Sequence, residues 1–211
     1  MTKLYVSNKD ETVRMFKSNF LEAFSKVHWT VPLYVYLPVV FFFLYRSFFV
    51  FEVPVLNVIL YFIIGLFIWT LTEYLLHRFI FHFPAKSKFG KRIHFIFHGV
   101  HHDYPNDTKR LVMPPSVSVP LAVIFYILFY YVFGPVDVSS FYAGFIVGYL
   151  FYDITHYAIH HFNMKNKFWL AIKNHHMIHH YKYDTLGFGV SQPVWDYVFR
   201  TTYPLKTGKE S

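Results

Sequence analysis

The chain reads as an all-α integral membrane protein: four transmembrane helices in two hairpins, with a helical cytosolic cap that holds a dinuclear metal site. Three observations lead there. Of 211 residues, 55% are hydrophobic and only 15% charged, with a mean hydropathy of +0.30, too apolar for a water-soluble domain of this size. Apolar runs long enough to cross about 30 Å of hydrocarbon recur along the chain. Thirteen of the fourteen histidines fall in four short windows, HRFIFH (77–82), HFIFHGVHH (94–102), HYAIHH (156–161) and HHMIHH (175–180), where scattered placement would leave about two.

Taken in order, residues 1–30 precede the first span. Val13, Phe16, Phe20, Phe24 and Val27 recur there at three- and four-residue steps, with Lys17, Glu22 and Lys26 between them. That spacing predicts an amphipathic helix, lying on the cytoplasmic membrane surface or packed against the cytosolic part of the chain. No charged leader with a cleavage site opens the sequence. Residues 31–211 form the second unit, with spans near 31–50, 54–76, 117–134 and 139–159 and a cap made of 77–116 and 160–211. Short turns near 46–53 and 135–138 close two hairpins, the second at Gly134-Pro135, and Pro114-Pro115 end the long loop.

Charge orients the bundle. Nineteen of the twenty Lys and Arg lie in 1–30, 72–116 and 160–211, and only Arg46 sits near a short turn. By the positive-inside rule those segments, and all four histidine windows, face the cytoplasm: the endoplasmic reticulum membrane in a eukaryote, the inner membrane in a bacterium. The formal charge of +8 is thinly spread among aromatics beside apolar runs, which suits anionic headgroups and argues against nucleic acid.

With no cysteine, disulfides, iron–sulfur clusters and thiolate-bound haem are excluded within this chain, leaving His, Asp and Glu as ligands. On a helix, His98, His101 and His102 make one ligating patch, as do His176, His179 and His180. His156 and His160 lie one turn apart. His77 and His82, five residues apart and about 140° around a helix, serve different metals or straddle a helix end. Ten imidazoles exceed the four of a structural zinc site; two metals with about five each leave room for dioxygen or water. Ligation needs neutral imidazole, so metal should be lost well below pH about 6.5. His28 reads as an interfacial residue, and His161 and His175 point away from their better-spaced neighbours.

Around the ligands, Glu73, Asp153 and Asp103 are candidates to accept the second ring N–H of a ligating histidine. His94 is a candidate ligand, ligand support or substrate contact. Lys109 and Arg110 suit a lipid headgroup or snorkelling, and Tyr157, Phe188 and Trp195 are candidates to line an acyl conduit. No nucleophile–base pair is present, so any catalysis belongs to the metal centre.

The series HxxxxH, HxxHH, HxxxH and HxxHH around four spans resembles the membrane-bound fatty acid hydroxylase and sterol desaturase superfamily. TEYLLHRFIFHF, HGVHHDYPNDTKRLVMPP, LFYDITHYAIHH and HHMIHHYKYDTLGFGVSQPVWDYVF look like the fatty acid 2-hydroxylases of sphingolipid acyl chains. RLVMPP and GFGV…WDYVF are the most specific parts, and the likeness covers roughly 60–203. The resemblance implies a di-iron centre on His77, His82, His98, His101, His102, His156, His160, His176, His179 and His180; by the affinity order of divalent metals, zinc can replace iron in purified samples. It also implies O2-dependent hydroxylation at C2 of a long acyl chain, in a fatty acid or ceramide. Eukaryotic members usually carry an N-terminal cytochrome b5 domain, for which residues 1–30 are too few. The expectation is therefore a separate donor of cytochrome b5, ferredoxin or rubredoxin type. Two other readings are open: a di-iron oxygenase acting on a sterol, carotenoid or ether lipid, and a membrane metal transporter or buffer.

Overall fold

The computed structural model describes residues 3–204; residues 205–211, with Lys206, Lys209 and the end of the 160–211 cap, lie outside the described residues. Within them all regular secondary structure is helical, with α1 (Asn19–Phe24), α2 (Val31–Tyr45), α3 (Val55–Leu75), α4 (Lys88–His94), α5 (Val100–Asp103), α6 (Pro115–His161), α7 (Lys167–Tyr181) and α8 (Val194–Val198). Three π-helical turns extend or join these elements: Arg46–Val50 after α2, Leu76–Phe81 after α3 and Phe95–Gly99 between α4 and α5.

Among the described residues, three helical stretches are long and apolar enough to cross a membrane, Val31–Val50, Val55–Phe81 and Pro115–His161. Their outer faces stay bare: Leu56 is 76% exposed and Tyr131 82%, tenable only if the surrounding solvent is itself apolar. Inward, Trp69, Phe129, Phe141, Phe145 and Tyr149 form an aromatic core between α3 and α6. The backbones touch there, since a Cβ on Gly144 would lie 1.9 Å from the Phe62 carbonyl oxygen.

Helix α6 is broken at Gly134 (φ 74°, ψ 177°), where the following proline disfavours helical backbone. Tyr142 then donates to the Ala122 carbonyl at 2.7 Å, and the Phe133 and Phe141 rings lie 4.4 Å apart. A straight helix would separate residues twenty apart by about 30 Å, so the chain reverses at this point. The expected four-residue turn at 135–138 shrinks to the glycine: Pro135 through Val138 are already helical, because proline is well accommodated in a first turn.

The N-terminal segment departs further from expectation. Only Asn19–Phe24 is helical, started by Ser18 accepting from the Leu21 N–H. Residues before it run as an irregular strap over the histidine end of the bundle: Val6 and Ser7 N–H donate to the Asp103 carbonyl, and the Thr108 N–H to Asp10. Glu22 decides this. Its carboxylate accepts from the backbone N–H of Met15 and Phe16 at 2.9 and 3.0 Å and pairs with Arg110 at 2.6 Å. The chain thus hooks around a buried ion pair instead of continuing a helix back to Val13.

Candidate metal centre

The histidines converge where α3, α5, α6 and α7 meet. They form two groups of five, His77, His82, His98, His102 and His179, and His101, His156, His160, His176 and His180; one ligand atom from each lies within 4.8 Å of the others in its group. These are the ten singled out from spacing and resemblance; His28, His94, His161 and His175 belong to neither group.

Their sorting differs from the spacing argument in two ways. His77 and His82 share one group because the segment between them is a π-helical turn, closed by the His82 N–H donating to the His77 carbonyl at 3.1 Å. That i→i+5 step stacks residues an α-helix would splay apart. Each HxxHH box, expected to act as one patch, is split. The i, i+4 pairs His98/His102 and His176/His180 stay together, while His101 and His179 cross to the opposite group. The groups share a wall, with His102 and His180 stacked at 4.2 Å between ring centroids.

The donor atoms fit metal ions. His77 Nδ1 is 2.6 Å from the Phe188 carbonyl and His179 Nδ1 2.7 Å from that of Leu186, so both rings carry their proton on Nδ1 and turn a bare Nε2 inward. Those atoms approach His82 Nε2 at 3.2 and 3.0 Å; lone pairs converging so closely call for a cation. Ligands about 2.1 Å from a metal lie about 3.0 Å apart at right angles and about 3.4 Å at tetrahedral angles. The observed Nε2 separations of 2.9 to 3.2 Å, including His101–His156 and His176–His180, match the right-angle case. Burial, reinforced by neighbouring imidazoles, holds His98, His101, His102 and His180 well below the usual imidazole range. For His179 burial outweighs its carbonyl partner and brings the value to about 4. All are neutral at pH 7, the form that ligates.

A largely apolar cavity of about 420 Å³ reaches His98 of one group and His101 and His156 of the other. Its walls come from Met15 to Ser25, from Ile96, Phe97 and Val100, and from Arg110 to Val117. Its size falls in the range of small-molecule sites.

The residues expected around the ligands have other duties. Glu73 accepts from the backbone N–H of Val190 and Ser191 at 2.8 Å each and from Ser191 Oγ at 2.5 Å, not from His77. Asp153 accepts from Met113 N–H and Tyr149 Oη and lines the cavity, not bonded to His156. Asp103 contributes its backbone carbonyl to the strap. His94 packs edge-on to His82 at 6.4 Å. Arg110 lines the cavity but is committed to Glu22, Asp107 and the Val13 carbonyl, so it offers no free charge to a headgroup. Lys109 is exposed, away from the cavity. Tyr157 stacks on Trp29 at 5.6 Å, behind the wall; Phe188 covers His77, His82 and His179; and Trp195 donates to Thr70. None of these last three lines the cavity.

Sequence reasoning missed the strap as a cavity wall and the turn after α7 as a source of carbonyls. It also missed Asp196, fully buried. Burial pushes that carboxyl upward, but bonds from His175, Thr201, Gly189 and Phe188 outweigh it and hold it below its ordinary value. The GFGV tetrapeptide was the available signal: Gly187 adopts φ 69°, which side chains resist.

Long apolar helices, ten imidazoles gathered at one end of them and an apolar cavity leading to both groups define a membrane-type histidine-box protein. Comparison with known proteins makes the class specific. The family model described as fatty acid hydroxylase matches residues 62–201, and the chain belongs to that family. It is 36% identical over 213 residues to a fatty acid 2-hydroxylase of Rattus norvegicus, covering 91% of this chain and 57% of the relative. It is 36% identical over 201 residues to the dihydroceramide fatty acyl 2-hydroxylase FAH1 of Arabidopsis thaliana, covering 95% and 84%. A solved structure, full-length scs7p with only the hydroxylase domain visible, superposes with a TM-score of 0.83 at 38% identity. That match covers 92% of this chain and 73% of the other. The chain thus spans little more than half the length of its rat relative and most of the plant one.

Proposed function

We propose that this chain is an O2-dependent di-iron hydroxylase that places a hydroxyl on C2 of a long acyl chain, carried as a fatty acid or in a ceramide-type lipid. The observation that carries the reading is the cavity reaching both histidine groups: a substrate carbon there lies beside the whole centre. The relatives' printed activities, 2-hydroxylation of fatty acids and of dihydroceramide acyl groups, supply the position and the substrate class.

One iron in each group, when bound, supplies the reduction of dioxygen for R–H + O2 + 2 e⁻ + 2 H⁺ → R–OH + H2O. The chain's own residues do the rest. Phe16, Phe97, Leu111 and Val112 bind the acyl chain by burying it and exclude bulk water. Neutral imidazoles keep their lone pairs available, and the Leu186 and Phe188 carbonyls hold two of the rings in the ligating tautomer. Zinc can displace iron during purification, because affinity favours it.

In this reading the two limbs of α6 cross the membrane separately, giving four spans in two hairpins, and the histidine end faces the cytoplasm by the distribution of Lys and Arg. Two electrons arrive from a cytochrome b5, ferredoxin or rubredoxin-type carrier. Exposed Lys86, Lys88, Lys91, Lys165 and Lys167 offer an acidic carrier a docking face.

The test is product analysis. Purified iron-loaded chain, a reduced donor, ¹⁸O2 and a mixed lipid extract should give one ¹⁸O per product, located at C2 by fragmentation. A hydroxyl at another carbon, or on a sterol, carotenoid or ether lipid, overturns the C2 acyl assignment; metal flux in proteoliposomes without lipid oxidation overturns the enzyme reading.

A further inference from the structure

The two histidine groups are supported differently. In the first, His77 and His179 each give their Nδ1 proton to a backbone carbonyl. In the second, Nδ1 of His101, His156, His176 and His180 is buried and meets no acceptor among the described residues, and only His160 has a backbone carbonyl beside it, that of Pro105.

Both carbonyls of the first group come from one turn and flank Gly187. The positive φ there reverses the chain so that Leu186 and Phe188 both face the histidines, and a Cβ would lie 1.8 Å from Tyr203 Oη. Two buried carboxylates grip this turn. Asp196, 0% exposed, accepts from the N–H of Phe188 and Gly189 at 2.8 Å each. It is braced by Thr201 Oγ1 at 2.7 Å and His175 Nε2 at 3.1 Å. Glu73, 2% exposed, holds the other end through Val190 and Ser191. Neither carboxylate is hydrogen-bonded to a ligating ring; together they fix the strip of backbone that is.

We infer that Asp196 and Glu73 are positioning residues for the group of His77, His82, His98, His102 and His179, and that they make it the tighter of two unequal metal sites. The inference rests on the reading that both groups bind metal. Its physical basis is preorganisation. A carbonyl on Nδ1 fixes the tautomer and the ring plane and raises the basicity of Nε2, and partners of this kind are worth about 10–100-fold in metal affinity. The second group has one such partner among the described residues, the Pro105 carbonyl beside His160, so its other rings must be ordered by the ion itself, at a cost in side-chain freedom.

The experiment uses the full chain in detergent, stripped with chelator and titrated with Co(II) in competition with a buffered chelator. Bound metal is counted by mass spectrometry, and folding is checked beforehand by circular dichroism and gel filtration. The wild type should load in two steps separated by about tenfold or more, and His176→Ala should abolish only the weaker. Asp196→Asn, which turns a donor toward the N–H groups of the turn, should weaken the tighter step about 10–100-fold and spare the other. Glu73→Gln should act in the same direction and carries the test if the first variant does not fold. Equal affinities in the wild type, or a folded Asp196→Asn chain with the tighter step unchanged, overturns the inference while leaving the metal reading intact. A folded wild type that binds no Co(II) removes both.

Discussion

Replacing Arg110 by Met should loosen the strap and open the cavity from its N-terminal side. Arg110 is 8% exposed, with Nη2 2.6 Å from Glu22 Oε1 and Nη1 3.9 Å from Asp107 Oδ2. At an effective dielectric of 20, charges 2.6 Å apart attract by ~6 kcal/mol before desolvation. Burial disfavours both charges, lowering the Arg110 value, so the net worth is well below that figure. Removing one partner of a buried pair costs about 3–5 kcal/mol. Glu22 keeps the Met15 and Phe16 N–H groups and Lys26 at 3.0 Å, which places the loss at the lower end, about 3 kcal/mol. For a chain of this length that lowers Tm by about 6–12 °C. Thermal melts and limited proteolysis of residues 3–25 measure it, and a cycle with Glu22→Gln should return a coupling of about 1.5–3 kcal/mol. Because Met15, Phe16, Phe20 and Leu21 line the cavity, KM for the acyl substrate should rise at unchanged metal content. A melt within about 1 °C of wild type, with the strap equally protected, refutes the reasoning.

The same hook should respond to acid. Burial favours the neutral Glu22 carboxyl, but bonds from Phe16, Lys26 and Met15 and the Arg110 charge outweigh it and lower the value from 4.5 to about 2. A depressed carboxylate contributes stability that is complete above 4.5 and lost as pH falls from there toward 2; strap proteolysis should rise in that window, and Glu22→Gln should abolish the dependence. His179→Ala should remove metal and product formation together, whereas retained turnover would break the ligand assignment. Val117→Trp, filling the cavity, should raise KM several-fold with metal content unchanged; an unaltered KM would mean that the acyl chain lies elsewhere.

Ten histidines that could hold metal were legible in the sequence because a ligand set needs a particular side chain at helical spacing. Their division into two groups was not. A π-turn between His77 and His82, and the crossing of His101 and His179 to the opposite group, depend on backbone geometry and helix approach, which no residue-by-residue spacing contains. Glu73 and Asp153 were legible as acids needing partners at the ends of apolar helices, but their actual partners lie at Ser191 and Met113, far along the chain. Arg110 illustrates the same limit: a cation beside an apolar run suggests a headgroup until the fold brings Glu22 within 2.6 Å.

Composition and periodicity by themselves determined that this chain forms long apolar helices and gathers imidazole donors at one end of them, because burying apolar surface and presenting ligands are properties of side chains and their local spacing. Only the tertiary structure decided which imidazoles fall in the same group, that the N-terminal strap walls the cavity, and that one turn around Gly187 orients His77 and His179. Those outcomes depend on contacts between distant parts of the chain, such as Arg110 with Glu22, 88 positions apart, and His77 with Phe188, 111 apart, which exist only once the helices have packed.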